Sequence, residues 1–143
     1  MSATELKKEE SMTAVESSQL GGTETILVAE DDAQTRRLYN AIFQQQGYKV
    51  ILAQDGEEAI KKFIENKEEI QLVLLDMIMP NKGGKEASEE IRRVNPNMKV
   101  IFASGYGSDS IDKESLAGEH VDFLFKPVSP DDLLRKVRSM LDE

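Results

Sequence analysis

The chain has 143 residues, the length of one domain, and its 39% hydrophobic residues suffice for a single compact core. A formal net charge of −9 argues against direct nucleic-acid binding, which depends on cationic neutralisation of phosphates. The absence of cysteine excludes disulfides and thiolate metal sites. No apolar run approaches the roughly 18 residues of a membrane span, and the N-terminal stretch lacks the apolar centre of a secretory signal, so the expected setting is cytoplasmic without membrane contact.

Residues 1–22 are rich in Ser, Thr, Glu and Lys, end on Gly21 and Gly22, and read as a flexible tail or linker. The folded domain is expected over 23–143. Residues 25–29 form a short apolar run bounded by acids, the pattern of a buried strand. A helix follows over 33–46, with Leu38, Ala41, Ile42 and Gln45 at helical spacing, and Gly47 stops it. A second strand is expected over 48–52, a turn at Asp55-Gly56, and a helix over 57–66 that buries Ala59, Ile60 and Phe63. Residues 70–75 hold the most continuous apolar strand, and Met79 to Gly84 form a loop broken by Pro80 and paired glycines. A helix over 85–94, a strand over 98–103 and a helix of poor propensity over 107–117 come next. A fifth strand covers 121–125. The last helix, 130–141, shows Leu133, Leu134, Val137, Met140 and Leu141 on one face. Apolar strands joined by helical crossovers imply a parallel α/β sheet covered on both faces, with right-handed connections.

In such sheets ligands bind beyond the carboxyl ends of the strands. Glu30, Asp31 and Asp32 follow the first strand, Asp76 the third, Ser104 the fourth and Lys126 the fifth. Singly, each has an ordinary explanation. The acids could be a solvated turn with Asp32 capping the next helix, Ser104 could satisfy a strand end, and Lys126 could be a surface lysine. Jointly they bring carboxylates, a hydroxyl and an ammonium to one edge. Crowded carboxylates repel, a divalent cation relieves that cost, and hard oxygen ligands suit Mg2+. His120, the only histidine, reads as a loop residue. Met77 and Met79 read as space-filling neighbours of Asp76.

The segments ILVAEDD, LVLLDMIMP, VIFASGYG and FLFKP resemble, in order and spacing, those of response-regulator receiver domains of two-component signalling, over residues 24–142. The resemblance implies a flavodoxin-like sheet of strand order 2-1-3-4-5. It implies that Asp76 accepts a phosphoryl group from a histidine kinase or a histidine phosphotransfer domain. By the same likeness Asp31 ligates Mg2+ directly, Glu30 is the second acid, and the Ile78 carbonyl supplies a further ligand. Ser104 is the switch hydroxyl, Lys126 pairs with the phosphoryl oxygens, and Phe123 occupies the aromatic switch position. Pro127 matches a proline usually preceded by a cis bond. The switching face would comprise helix 107–117 and strand 121–125, and a homodimer through that face and the last helix is a further expectation. Ile78 and Tyr106 stand two residues after Asp76 and Ser104, where the family tunes dephosphorylation. Neither can orient water as a carboxylate or amide would, so slow autodephosphorylation is expected. The GGTETILVAEDD entry, the SGYG segment and the FLFKPVSPDDLLRKVRSMLDE ending look like receivers fused to the C-terminus of hybrid sensor kinases, and a stand-alone regulator is the alternative reading.

Three rival readings carry their own tests. A haloacid-dehalogenase-type phosphatase needs an aspartate where Ile78 stands. A nucleotide-binding module needs a GxGxxG or GxxxxGK[ST] loop that the chain lacks. A pseudo-receiver, acting only as an interaction module, is disfavoured by the complete set of acids, Ser104 and Lys126.

Overall fold

A computed structural model describes residues 20–105 and 120–143. The elements, in chain order, are β1 (Thr25–Ala29), α1 (Ala33–Gln45), β2 (Lys49–Ala53), α2 (Gly56–Glu65), β3 (Ile70–Asp76), α3 (Gly84–Val94), β4 (Lys99–Ser104), β5 (Val121–Phe125) and α4 (Pro130–Leu141). The expected helix 107–117 and Tyr106 lie outside the described residues. All five strands are parallel, in the order β2-β1-β3-β4-β5 expected from the family likeness.

Alternate residues of each strand feed two separate cores, as the two-residue period of a pleated strand requires. Ile26, Val28, Leu72, Leu74, Ile101 and Ala103 face α1 and α4, where Phe43, Leu133 and Val137 complete the layer. Leu27, Ala29, Val73, Leu75, Val100 and Phe102 face α2 and α3, against Ala59, Phe63, Ala87 and Ile91. The three inner strands are buried on both faces, which is why they read as unbroken apolar runs. The two edge strands are only partly covered.

Several expectations shift. The buried face of α1 is Tyr39, Ile42 and Phe43, and Leu38 is 52% exposed. Ala41 and Gln45 are exposed as well. Tyr39, Ile42 and Phe43 also stand at helical spacing, and two rings bury more apolar area than Leu38 with Ala41. Tyr48 precedes β2 instead of opening it. Its ring packs edge-on against Phe43 at 5.9 Å, and its hydroxyl donates to the Leu20 carbonyl at 2.7 Å. β3 runs on to Asp76 and β4 to Ser104, so these two residues end their strands where the sequence placed them just beyond. The ladder has not yet stopped there, because the Met77 N–H still donates to the Ala103 carbonyl at 2.9 Å.

Arg138 on α4 ties the chain's entry to its last helix. Its guanidinium donates to Glu24 Oε2 at 2.7 Å and to the Gly21 carbonyl at 2.9 Å. The Arg138 hydrogen bond holds the Glu24 carboxyl below the usual glutamate range, against a smaller opposing effect of burial. A depressed folded-state pKa stabilises the protein above the unfolded value and loses that contribution as pH falls through the folded value. Glu24→Gln is therefore expected to cost about 1–2 kcal/mol at neutral pH. The difference from the parent should close in denaturant titrations as pH falls through the depressed Glu24 value. A gap that persists unchanged in acid would assign the effect to packing.

Candidate functional site

Strand register sets the site. Ala29 pairs with Leu75, which brings Glu30, the next residue, level with Asp76. Asp76 pairs with Ala103, and Ser104 with Phe125, so Ser104 and Lys126 follow one step along the same edge. Three backbone bonds fix these ends. The Glu30 N–H donates to the Ala53 carbonyl at 3.1 Å, that of Met77 to Ala103, and that of Lys126 to Ser104 at 2.6 Å.

The three consecutive acids take different environments. Glu30 is 1% exposed, and its Oε1 accepts from the Asp32 N–H at 3.1 Å. Asp31 is exposed. Asp32 turns away to cap α1, its Oδ2 accepting from the Thr35 N–H at 2.8 Å and the Thr35 hydroxyl at 2.7 Å. Asp76 is 7% exposed at the end of the central strand.

Lys126 lies between the two buried carboxylates. Its Nζ is 3.1 Å from Glu30 Oε2 and 3.1 Å from Asp76 Oδ2. Burial pulls the Lys126 ammonium down, but the Glu30 and Asp76 carboxylates outweigh it and raise it above an ordinary lysine. Burial, and then the neighbouring Asp76 carboxyl, push Glu30 up to about 7, with Lys126 opposing. Lys126 thus offsets only part of the cost of holding two carboxylates out of water. The Lys126–Pro127 peptide is cis.

Carboxylate oxygens of Glu30, Asp31 and Asp76 lie within 4.8 Å of one another. Three hard oxygen donors with this spacing and excess negative charge fit a divalent cation such as Mg2+. Ser104 is 3% exposed at the same edge. Ile78, two residues past Asp76, is 78% exposed. Phe123 is half-buried, its ring 5.6 Å from that of Phe102.

Three contributors were not foreseen. Arg36, one helical turn beyond the Asp32 cap, donates to the Glu30 carbonyl at 2.8 Å and to that of Asp31 at 3.3 Å, clasping the acidic turn from behind. Tyr39 lies within the field of Lys126, Glu30 and Asp76, and burial pushes its phenol up to about 12. Gly84 lets α3 start directly under Asp76, since a Cβ there would stand 2.5 Å from the Asp76 carbonyl oxygen. The first leaves a signal in the sequence, a basic residue four places after an N-cap. The other two depend on packing between distant segments.

A model of the response regulator receiver domain matches residues 26–138. The sensor kinase CckA of Brucella abortus is 34% identical over 124 residues, which cover 87% of this chain and 13% of that protein. The chemotaxis protein CheY of Thermotoga maritima is 34% identical over 106 residues, covering 73% of this chain and 87% of that one. The crystal structure of the receiver domain from the hybrid histidine kinase CckA superposes with a TM-score of 0.70 at 32% identity, over 82% of this chain and 98% of that one.

The Lys126 pairing can be tested without any ligand. Lys126→Met is expected to cost about 1–3 kcal/mol at neutral pH, less than for a wholly buried pair because the lysine side chain keeps 28% exposure. Asp76→Asn in that background should recover a good part of the loss, because it removes one of the stranded charges. A double-mutant cycle by chemical denaturation that shows no coupling between the two positions would rule the pairing out as a stabilising contact.

Proposed function

The chain belongs to the response regulator receiver domain family, a signalling family, and from that premise we propose that Asp76 is the residue on which it accepts a phosphoryl group. One observation carries the reading: Asp76 is a nearly buried carboxylate that ends the central strand 3.1 Å from the Lys126 ammonium, with Glu30 and Asp31 beside it. The donor would be the phosphohistidine of a histidine kinase or a histidine phosphotransfer domain. An Asp76 carboxylate oxygen attacks phosphorus, the P–O bond forms, the P–N bond to histidine breaks, and the histidine nitrogen leaves with the bonding pair. Such a transfer demands in-line positioning and charge neutralisation more than covalent catalysis. Lys126 neutralises an oxygen of the transferred group, and the Ser104 hydroxyl donates to another. Glu30, Asp31, Asp76 and the Ile78 carbonyl would hold Mg2+. When bound, the cation supplies the remaining positive charge that the phosphoryl oxygens need.

The acyl phosphate adds charge at the strand ends and biases a two-state element, for which Ser104 and Phe123 are the proposed reporters. A homodimer through β5, α4 and residues 107–117 is one output consistent with this placement. We also propose that residues 1–22 are a tail or linker leading into the receiver, 23–143. The bonds from Tyr48 to Leu20 and from Arg138 to Gly21 hold the last part of that segment on the domain body. A pseudo-receiver reading keeps the interaction surface but discards the chemistry, and phosphorylation decides between the two.

Incubation with acetyl phosphate and Mg2+ is expected to label the parent chain, and Asp76→Asn and Asp31→Ala should each abolish labelling while the fold persists. Equal incorporation in the parent and Asp76→Asn would move the acceptor elsewhere.

The lifetime of the phosphoryl group gives a second test. Ile78, two residues past Asp76, is apolar and 78% exposed and offers no side-chain acceptor for a water proton. Tyr106, by its position in the sequence, is assigned the partner role. In the double variant Ile78→Asn with Tyr106→Glu, phosphate loss after donor removal should quicken about tenfold, the effect of roughly 1.4 kcal/mol restored to the hydrolytic transition state. Decay no faster than the parent's would sink the shielding idea and leave the acceptor assignment intact.

A further inference from the structure

The loop that leaves Asp76, residues 77–83, is fastened at its far tip to the turn before α2. Asn81 stands at φ 67°, a left-handed conformation that asparagine tolerates better than most side chains. From there its Nδ2 donates to Asp55 Oδ2 at 2.7 Å. One residue on, the Lys82 carbonyl accepts from the Gly56 N–H at 3.0 Å. The two backbones meet so closely that a Cβ on Gly56 would stand 2.2 Å from the Lys82 carbonyl oxygen. The Lys82 ammonium reaches Glu90 Oε2 on α3 at 2.7 Å.

Asp55 divides its carboxylate between two tasks. Oδ1 accepts from the Glu58 N–H at 2.8 Å and caps α2, which leaves Oδ2 for Asn81. The near end of the loop is secured by the bonds from Met77 to Ala103 and from Gly84 to the Met77 carbonyl. Between the two anchors, Met79 is buried while Ile78 and Pro80 are exposed. The Asn81 side chain is itself exposed, so its contribution is the bond and the left-handed turn, not buried area.

From this geometry we infer that Asp55 and Asn81 are positioning residues, a side-chain latch that presets the loop backbone after Asp76 for cation binding and phosphoryl acceptance. The inference rests on the reading of Glu30, Asp31 and Asp76 as the cation and phosphorylation site. A carbonyl ligand on a free loop must be ordered when the cation binds, and that entropy is subtracted from affinity. A loop latched beforehand has already lost it. Glycine at position 81 would satisfy the backbone angle equally well, but only the amide supplies the donor.

Calorimetric titration of the full chain with Mg2+ tests the latch. Asn81→Gly keeps the backbone angle and the net charge. Asp55→Ser keeps a side-chain cap on α2 but is too short to reach Asn81. Each is expected to raise the Mg2+ dissociation constant about three- to tenfold, and the two together no further than either alone. The exchange Asp55→Asn with Asn81→Asp rebuilds the bond with donor and acceptor reversed and net charge unchanged. It should return affinity to within about twofold of the parent. Melting temperatures are read alongside. A latch that serves the fold alone would lower the melting temperature and leave the dissociation constant at the parent value, and that result overturns the inference. So does an exchange variant that fails to restore binding. A parent that binds no Mg2+, or binds it unaltered by Asp31→Ala, overturns instead the reading of the site, and the latch with it.

Discussion

Glu30 and Asp76 are held almost wholly out of water, and a single ammonium, that of Lys126, stands 3.1 Å from each. Burying a charge is costly unless it is paired, and two like charges sharing one counter-charge repel as well. Among the described residues, neither hydrophobic core includes Glu30 or Asp76. Apolar residues at those strand ends would extend cores that already cover both faces of the sheet. The protein therefore carries a local electrostatic cost at one edge, and the surrounding structure holds it in place. With Asp31 included and all three carboxylates ionised, the cluster holds two negative charges more than Lys126 offsets, the charge that one divalent cation cancels.

The parallel sheet makes such a cluster possible. β1, β3 and β4 are consecutive neighbours, and their strand ends carry Glu30, Asp76 and Ser104. The ladder positions these residues to a fraction of a residue, because a slip by one would send every side chain of a strand to its other face. Helix starts then refine the site. Asp32 closes α1 and draws the chain sharply away after Asp31, Arg36 pins the two carbonyls of that turn, and Gly84 lets α3 begin against the Asp76 backbone. Each device acts on backbone next to a charged residue, so the carboxylates themselves are left to face one another.

Much of this was legible in the sequence because it follows from patterns local to a few residues. The inner strands announced themselves as apolar runs, and the residue after each named the site. Asp32 could be read as a cap from its place before a helical pattern. The face of α1 could not, since Leu38 and Tyr39 both lie at helical spacing and only the tertiary core chooses between them. The Tyr48 hydroxyl bond to Leu20, the Arg138 contact with Glu24 and the Asp55–Asn81 bond join segments 28, 114 and 26 residues apart, and no local period records such pairs. The strand ends were misjudged by one residue at Asp76 and Ser104 for a related reason. A polar residue looks like the end of a strand, yet its backbone can go on pairing while its side chain serves chemistry.

The proposed switch would act first on the ladder between β4 and β5, where Ser104 lies. Ser104 pairs with Phe125, and two residues back along the same two strands Phe102 pairs with Phe123. These two rings touch, 5.6 Å apart and tilted by 31°. Phe102 is fixed in the core at 1% exposure, whereas Phe123 on the edge strand is only half-buried. Packed interiors shift between discrete arrangements more readily than they deform, and the less confined member of a pair is the one with room for a second rotamer. In the proposed switch, Ser104 is the residue at the strand ends and Phe123 the less confined ring two residues back. The asymmetry between the two phenylalanines gives the proposed switch a direction, from the buried carboxylates outward to the edge of the sheet.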